Sequence, residues 1–230
     1  MNRRFFITGT DTGVGKTVVT AALTLALRAR GENAMSVKPV QTGAVNGDDD
    51  ATWCEGWYDP APTAAQHADL TVVRLPLPTS PHLAAREAGQ RVTIQSLESR
   101  VDRLSKDWNP LVIEGAGGLL VPLNETETML DLIKALRATP VVVARDNLGT
   151  LNHTQLTLRA LAAEGLIPAA VVLAASTPPR DATDQLIRAD NLIELTRRIA
   201  PVPVIAFPYL VAMSRASLLA AGAPVAAAVG

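Results

Sequence analysis

The residues with the clearest capacity for chemistry lie near the amino end, in the stretch GTDTGVGKT from Gly9 to Thr17. This stretch follows the apolar run FFIT and precedes VVTAALTLALRA, so it connects a predicted strand to a predicted helix. Its glycines allow successive backbone N–H groups to point at phosphate oxygens, and the helix N-terminus adds partial positive charge. Lys16 can then bridge the terminal phosphates, while the Thr17 hydroxyl can bind Mg²⁺. The stretch predicts a loop that binds a nucleotide.

This loop is a variant of the usual phosphate-binding pattern. The consensus G-x-x-x-x-G-K-[ST] places its first glycine at residue 10, which is Thr10 here, and Gly9 stands one position early. A glycine-rich turn with an exposed lysine is the alternative. The strand before the loop, the helix after it and the GKT between them favour nucleotide binding.

Carboxylates at two other places could hold the metal ion, because Mg²⁺ on a triphosphate prefers hard oxygen ligands. Glu114 ends the apolar run PLVIE, and an acidic run at residues 48–50 follows the second predicted strand and its loop. A carboxylate at the end of a buried strand is costly unless it has a cationic partner. Charges that start a loop or face solvent are the alternatives. Spacing alone does not choose among the three aspartates.

A second lysine, Lys38, lies in VKPVQTG at a predicted strand end, just before Pro39. There it would face the same crevice as Lys16 and stabilise negative charge that develops during phosphoryl transfer. An ordinary surface lysine is the alternative.

The surrounding pattern predicts the elements that position these residues. Short apolar runs predict strands at RRFFIT, AMSVK, PLVIEG, TPVVVAR, IPAAVVLAAS and VPVIAF, and longer amphipathic runs predict helices over 16–30, 92–108, 127–138, 150–165 and 181–200. PVQTGAVNGDDD is predicted to be a loop, and residues 51–90 short helices and irregular segments. This alternation indicates an α/β fold of the P-loop NTPase type. We expect three α/β/α layers around a mainly parallel, doubly wound sheet, in one domain over residues 1–230.

Composition narrows the class of protein. The formal net charge is −1 and no basic residues cluster, so a nucleic-acid partner is not expected. The single cysteine, Cys54, excludes an intrachain disulfide. The weakly polar run LLAAGAPVAAAV is too short for a membrane span and is interrupted by Pro224. We expect a cytoplasmic protein that does not enter a membrane.

Several motifs together resemble one enzyme family. TGTDTGVGKT, VKPVQTG, GDDD, PTSPHLAA, IEGAGG and LGTLNHTQLT occur in the order seen in dethiobiotin synthetases, over at least residues 3–165, and TPP near 177 extends the match. The resemblance implies an ATP- and Mg²⁺-dependent enzyme that closes a ureido ring on 7,8-diaminopelargonate with CO₂ or bicarbonate. The reaction would pass through a carbamate and a carbamic–phosphoric anhydride.

The resemblance also assigns roles to individual positions. Lys16 and Lys38 resemble the catalytic lysines, and Asp50 is the aspartate that it selects from the acidic run. The implied nucleotide-binding residues are Thr12, Gly13, Val14, Gly15, Lys16, Thr17, Glu114 and Ala174, and the implied metal ligands are Thr17, Asp50 and Glu114. The implied substrate-binding residues are Thr12, Lys38, Thr42, Gly117, Gly118, Gly149, Thr150, Leu151 and Asn152. The last four resemble a site for the substrate's carboxylate that serves mainly the other subunit of a homodimer, and helix N-termini favour anions in general.

Two positions depart from the family pattern. Gly13 replaces a glutamate of some relatives, which leaves the loop more flexible and less charged. Ala174 stands where many relatives have an asparagine that reads the adenine edge, and alanine offers no side-chain hydrogen bond. We therefore expect weak discrimination among nucleoside triphosphates, or preference for one other than ATP.

Two other protein classes share the loop. One is an amide-forming synthase of the cobalamin-pathway type, whose longer forms with a glutaminase do not fit 230 residues. The other is a regulatory ATPase of the partition or septum-site type, which usually carries a signature lysine early in the loop. Asp11 stands at that position and argues against it.

Overall fold

Strand β1, Arg4–Gly9, lies in the middle of a parallel sheet and leads directly into the glycine-rich loop. The computed structural model describes residues 2–44 and 49–230. Within these ranges the sheet has the order β3-β2-β4-β1-β5-β6-β7, and every pairing is parallel. The other strands are β2 (Met35–Thr42), β3 (Thr71–Leu75), β4 (Leu111–Gly118), β5 (Thr139–Arg145), β6 (Ala170–Ala174) and β7 (Val204–Phe207).

Helices connect the strands and cover the sheet. They are α1 (Lys16–Ala29), α2 (Asp50–Glu55), α3 (Ala64–Leu70), α4 (Pro81–Glu87), α5 (Ile94–Leu104), α6 (Met129–Ala135), α7 (Thr150–Ala163), α8 (Ala182–Ile199) and α9 (Arg215–Val229). Helix α1 packs on α9 and α2, α5 on α6, and α7 on α8. The predicted three-layer α/β fold with a parallel sheet is confirmed. The single domain over residues 1–230 stays a prediction.

The core consists of aliphatic strand residues, as the composition predicts. Phe6 and Ile7 of β1 and Val141 and Val142 of β5 have no exposed surface. Such continuous burial is expected for parallel strands that are covered on both faces. Since β1 pairs with β4 on one side and β5 on the other, its carboxyl end opens at the point where strand order reverses and ligands bind in such sheets.

The second strand is longer than the sequence indicated. We predicted that it ends at Lys38, but β2 continues through Pro39 to Thr42, so the prediction of a loop over these residues was wrong. Residues Met35–Val37 pair with β4, while the following part from Lys38 to Thr42 pairs with β3. Pro39 is tolerated because it lies beyond the stretch in register with β4.

Two elements were not predicted from the sequence. Strand β3 is a five-residue edge strand within the region where we predicted short helices and irregular segments; the short helices α2, α3 and α4 are present. Helix α9 includes the run that we considered only as a possible membrane span, and it contains Pro224. Over the described residues, no helix combines the length and apolar character that crossing a membrane requires.

Candidate active site

The glycine-rich loop between β1 and α1 has the backbone geometry of a phosphate cradle. Gly13 and Gly15 have φ angles of 70° and 102°, a left-handed conformation that favours glycine. Gly15 is the N-cap of α1 and makes no side-chain cap, so the first N–H groups of the helix remain available to an anion. The loop is held to the sheet by the N–H of Thr10, which donates to the carbonyl of Val143, 3.0 Å away.

Lys16 is buried at the start of α1 and its ammonium bends back over the loop. Its Nζ donates to the backbone carbonyl of Asp11 at 3.0 Å. Burial, followed by the positive charge of Lys38, lowers the pKa of Lys16 to about 8. Both effects disfavour the charged form, and the negative charge of a bound polyphosphate would oppose them.

Lys38 forms a buried charge cluster with two carboxylates. Its Nζ lies 2.7 Å from Oδ2 of Asp50 and 2.7 Å from Oε1 of Glu114. The carbonyl of Gly115, at 3.4 Å, accepts a third and longer hydrogen bond. The sequence indicated Lys38, Asp50 and Glu114 separately, and the fold brings all three into contact.

The electrostatics of this cluster follow from its burial. Desolvation opposes a charged Lys38, but the carboxylates of Glu114 and Asp50 outweigh it and raise its pKa above the ordinary lysine value. Burial raises the pKa of Glu114, and the charge of Lys38 opposes that rise. The charges of Lys38 and Glu114 therefore each favour the ionised form of the other group.

Asp50 owes its position to the residue before it. Asp49 caps α2 by accepting from the N–H of Thr52 at 2.8 Å, and its other oxygen accepts from Nε of Arg74 on β3, also at 2.8 Å. In addition, the N–H of Asp50 donates to Oε1 of Gln41 at 3.2 Å. The first turn of α2 is therefore tied to β2 and β3. Asp48, the remaining aspartate of the run, lies outside the described residues.

These groups face one cavity of about 730 Å³. Ten of the residues that the sequence analysis selected line it: Thr12, Gly13, Gly15, Lys16, Thr17, Lys38, Thr42, Asp50, Glu114 and Gly117. At Gly117, φ is +67°, and a Cβ would lie 2.8 Å from a Val121 methyl and 3.4 Å from the Thr12 hydroxyl. A side chain at this position would therefore narrow the cavity.

Among the described residues that we selected, the others lie outside this cavity: Val14, Gly118, Gly149, Thr150, Leu151, Asn152 and Ala174. Gly149 is the left-handed N-cap of α7. Thr150 and Val14 line a separate, smaller cavity between the start of α7 and the outer side of the glycine-rich loop. Arg145 also lines this second cavity, and its Nη2 donates to the carbonyl of Gly13 at 3.3 Å.

Ala174 ends β6 on the far side of the loop from Lys38. A Cβ built on Gly15 would lie 3.4 Å from the Cβ of Ala174, so these two positions are in van der Waals proximity. Ala174 is 4% exposed. The end of β6 therefore adjoins the glycine-rich loop.

Some lining residues were not selected from the sequence. Gln41 supports Asp50, and Pro78, Thr79, Ser80 and Pro81 form one wall of the cavity. The motif PTSPHLAA had been noted, but an apolar and hydroxyl-bearing stretch gives no chemical signal before the fold places it. Arg74 could not be connected with Asp49 because β3 itself was missed.

The donor set fits a hard divalent cation. The Thr17 hydroxyl donates to Oε1 of Glu114 at 3.0 Å, and Asp50 is joined to the same carboxylate through Lys38. Hydroxyl and carboxylate oxygens next to a phosphate-binding loop are the ligands that Mg²⁺ takes when phosphate supplies the rest.

Comparison with known proteins agrees with the geometry. A family model described as an AAA domain matches residues 3–212. An ATP-dependent dethiobiotin synthetase from an Anaeromyxobacter species is 44% identical over 171 residues, which cover 74% of this chain and 76% of the relative. The enzyme of the same name from Paramagnetospirillum magneticum is 41% identical and covers 88% and 90% of the two chains. This chain belongs to the dethiobiotin synthetase family.

The similar solved structures include an a,c-diamide synthase and a cell division protein complex. Cobyrinic acid a,c-diamide synthase from Mycobacterium smegmatis, with bound ADP and magnesium, has a TM-score of 0.57 and 16% identity, over 98% of this chain and 94% of that one. The MinC:MinD complex of Aquifex aeolicus has a TM-score of 0.54 and 11% identity, over 97% and 87%. At such low sequence identities, structural similarity establishes only the fold. Membership of the dethiobiotin synthetase family rests on the sequence relatives.

Proposed function

We propose that this protein converts 7,8-diaminopelargonate and CO₂ into dethiobiotin at the expense of a nucleoside triphosphate, in the cytoplasm. The observation that carries the proposal is the meeting of Lys16, Lys38, Thr17, Asp50 and Glu114 around one cavity beside the glycine-rich loop. Family membership supplies the substrate class.

The loop and Lys16 hold the triphosphate. Free N–H groups at the start of α1 bind phosphate oxygens, and the Lys16 ammonium leaves the Asp11 carbonyl to contact the transferred phosphoryl group. Thr17, Asp50 and Glu114 would hold Mg²⁺, which neutralises phosphate charge when bound. Positioning and charge stabilisation account for most of catalysis in phosphoryl transfer.

The substrate's own groups carry the bond changes. One amine adds to CO₂ and loses a proton, which gives a carbamate. The carbamate oxygen attacks the γ-phosphorus and expels the nucleoside diphosphate, which gives a carbamic–phosphoric anhydride. The second amine then attacks the carbamoyl carbon, and inorganic phosphate leaves as the ring closes. Lys38 stabilises the carbamate and the phosphoryl group that it receives, while Thr12 and Thr42 offer hydroxyl hydrogen bonds from the cavity wall.

A homodimer is part of this proposal. Gly149, Thr150, Leu151 and Asn152 begin α7 outside the cavity of their own chain, next to Leu148, which is 81% exposed. The start of α7 has no side-chain cap, and free N–H groups at a helix N-terminus favour anions. Each copy would then bind the carboxylate of the diamine held in its partner's cavity.

Fixation of labelled bicarbonate tests the activity. The purified protein should incorporate ¹⁴C into acid-stable product only when diaminopelargonate, Mg²⁺ and a nucleoside triphosphate are all present. Replacement of Lys16 with Ala should abolish incorporation. Absence of incorporation by folded wild-type protein with ATP, CTP and GTP would refute the proposed function. An amide-forming synthase and a regulatory ATPase would then be the functions to test.

Mixing two inactive variants tests the shared site. Lys16→Ala damages the cavity, and a bulky Asn152→Trp substitution, at an exposed position of the first turn, would block the start of α7. If each site uses both chains, mixed dimers contain one intact site, and equal mixing should restore about a quarter of wild-type activity. No recovery after confirmed subunit exchange would show that α7 serves its own chain or no substrate.

A further inference from the structure

The ammonium of Lys38 fills the space between two carboxylates. It lies 2.7 Å from Asp50 and 2.7 Å from Glu114, and the Gly115 carbonyl accepts from it at 3.4 Å. An ammonium group has three N–H donors, so all of its donors have a partner. The Lys38 side chain is 6% exposed and that of Glu114 is 3% exposed. Within this arrangement, Lys38 has no donor left for a substrate.

The same oxygens belong to the set that fits a divalent cation. Oε1 of Glu114 accepts from both Lys38 and Thr17, so one carboxylate oxygen connects the lysine with the hydroxyl of the metal set. Asp50 is the second carboxylate of that set and is the second partner of Lys38. An ammonium and a divalent cation would repel each other strongly if both occupied this buried position.

We propose that Lys38 is a resident cation which a divalent metal ion displaces from Asp50 and Glu114, and that this displacement releases its ammonium into the cavity. The inference rests on the proposed function only for what Lys38 meets afterwards, the carbamate of the substrate. The exchange itself is a property of the protein and the metal.

The geometry allows this movement. Lys38 lines the cavity as well as the cluster, and four methylene groups give its ammonium a wide reach without movement of β2. Before exchange, Lys38 keeps the two buried carboxylates from repelling each other. After exchange, the metal ion neutralises the two carboxylates instead. The ammonium of Lys38 is then a free cation beside the reacting groups. Binding of metal would thus precede productive engagement of the carbamate.

Metal binding without nucleotide or diamine tests the exchange. Mn²⁺ is titrated into the protein and free Mn²⁺ is followed by electron paramagnetic resonance. Lys38→Met removes the competing cation, so we expect it to bind Mn²⁺ at least tenfold more tightly than the wild type. Lys38→Arg keeps a cation and should resemble the wild type. Lys134→Met, which removes a surface partner of Glu164, is the matched control and should change nothing.

Equal or weaker Mn²⁺ binding by folded Lys38→Met would overturn the proposal. Since this variant leaves two carboxylates without a cation, its fold is checked by circular dichroism, and a second measurement uses the wild type. In protein labelled with ¹⁵N-lysine, the Nζ resonance that is missing from Lys38→Arg is assigned to Lys38. It should shift when Mg²⁺ saturates the site, and an unchanged resonance would also overturn the exchange.

Neither measurement depends on turnover. If bicarbonate fixation fails while Mn²⁺ binding tightens in Lys38→Met, the proposed function is wrong and the exchange stands. If fixation succeeds and Mn²⁺ binding does not tighten, the exchange is wrong and the function stands.

Discussion

The ammonium of Lys16 donates to the backbone carbonyl of Asp11, 3.0 Å away, within the glycine-rich loop. Burial and the nearby Lys38 charge lower the pKa of Lys16 to about 8. A bound polyphosphate favours the ammonium form and raises this pKa again. We therefore expect binding of nucleotide to be linked to uptake of a proton by Lys16.

The sign and range of this linkage follow from the lowered value. Below about pH 7 Lys16 is already charged, so it takes up almost no proton when nucleotide binds. Near pH 9 Lys16 is mostly neutral before binding, so its proton uptake approaches about one. Calorimetry of nucleotide binding at each pH, in two buffers with different ionisation enthalpies, measures the number of protons taken up per nucleotide bound. Lys16→Arg is the control because arginine stays charged over this range. Wild-type uptake that does not rise between about pH 7 and pH 9 would contradict the lowered pKa.

Our prediction about selectivity for the base of the nucleoside triphosphate depends on Ala174. A site without a side-chain hydrogen bond to the base separates related ligands weakly, so kcat/KM for ATP, CTP and GTP should lie within about a hundredfold of one another. Ala174→Asn places a side-chain amide beside Gly15 and should shift the ratio toward ATP. Steady-state assays with each triphosphate measure both ratios. A wild-type preference for ATP above about a thousandfold would contradict this prediction.

The Asp49–Arg74 pair sets the position of Asp50. Arg74→Met leaves the Asp49 carboxylate, which is 1% exposed, with Thr52 and Thr71 as partners. We expect a loss of about 1–3 kcal/mol in the free energy of unfolding. We also expect a higher Mg²⁺ concentration for half-maximal activity, because Asp50 begins the helix that Asp49 caps.

A matched variant separates these effects from loss of a surface charge. Arg86→Met removes an exposed pair with Glu87, whose charged atoms are 3.7 Å apart, and should leave stability and the Mg²⁺ requirement nearly unchanged. Urea unfolding and Mg²⁺ titration of activity test both variants. If Arg74→Met behaves like Arg86→Met, the pair does not position Asp50.

Gly222 is the position on α9 where substitution should cost most. A Cβ there would lie 2.0 Å from the carbonyl oxygen of Ala22 on α1. Although alanine is favoured over glycine in helices by about 1 kcal/mol, Gly222→Ala should lower the free energy of unfolding by about 1–3 kcal/mol. Ala220→Gly, at an exposed position of the same helix, should cost about 1 kcal/mol. Urea unfolding measures both, and a Gly222→Ala variant as stable as the wild type would show that α1 and α9 can separate without penalty.

Much of the fold could be predicted from the sequence because the strongest patterns for helices, strands and turns are local. Glycines around Lys16 fix the turn into α1. The apolar spacing of Ile94, Leu97, Val101, Leu104 and Trp108 predicts a helix over 92–108; α5 covers Ile94–Leu104, so the predicted last turn was wrong. Continuous apolar runs marked β4, β5 and β6 in the same way. Each of these signals depends on neighbours within a few turns or residues.

Features that depend on distant partners could not be read in this way. Strand β3 has only five residues and exists through its pairing with β2, which also extends β2 past Pro39. Helix α9 is rich in alanine and has almost no polar face, so only its packing on α1 makes it recognisable. In the site, Lys38, Asp50 and Glu114 were each chosen, but their mutual contact arises from three separate elements of the fold. The roles of these residues in catalysis remain predictions.

The packing of α9 on α1 also bears on the order of folding. Helix α1 follows the first strand, whereas α9 follows the seventh strand of the described sheet. During synthesis, the helix that carries Lys16 thus lacks one of its packing partners until all of those strands have left the ribosome. Nascent chains that stop after β7 should accordingly leave the apolar side of α1 open to solvent and to chaperones.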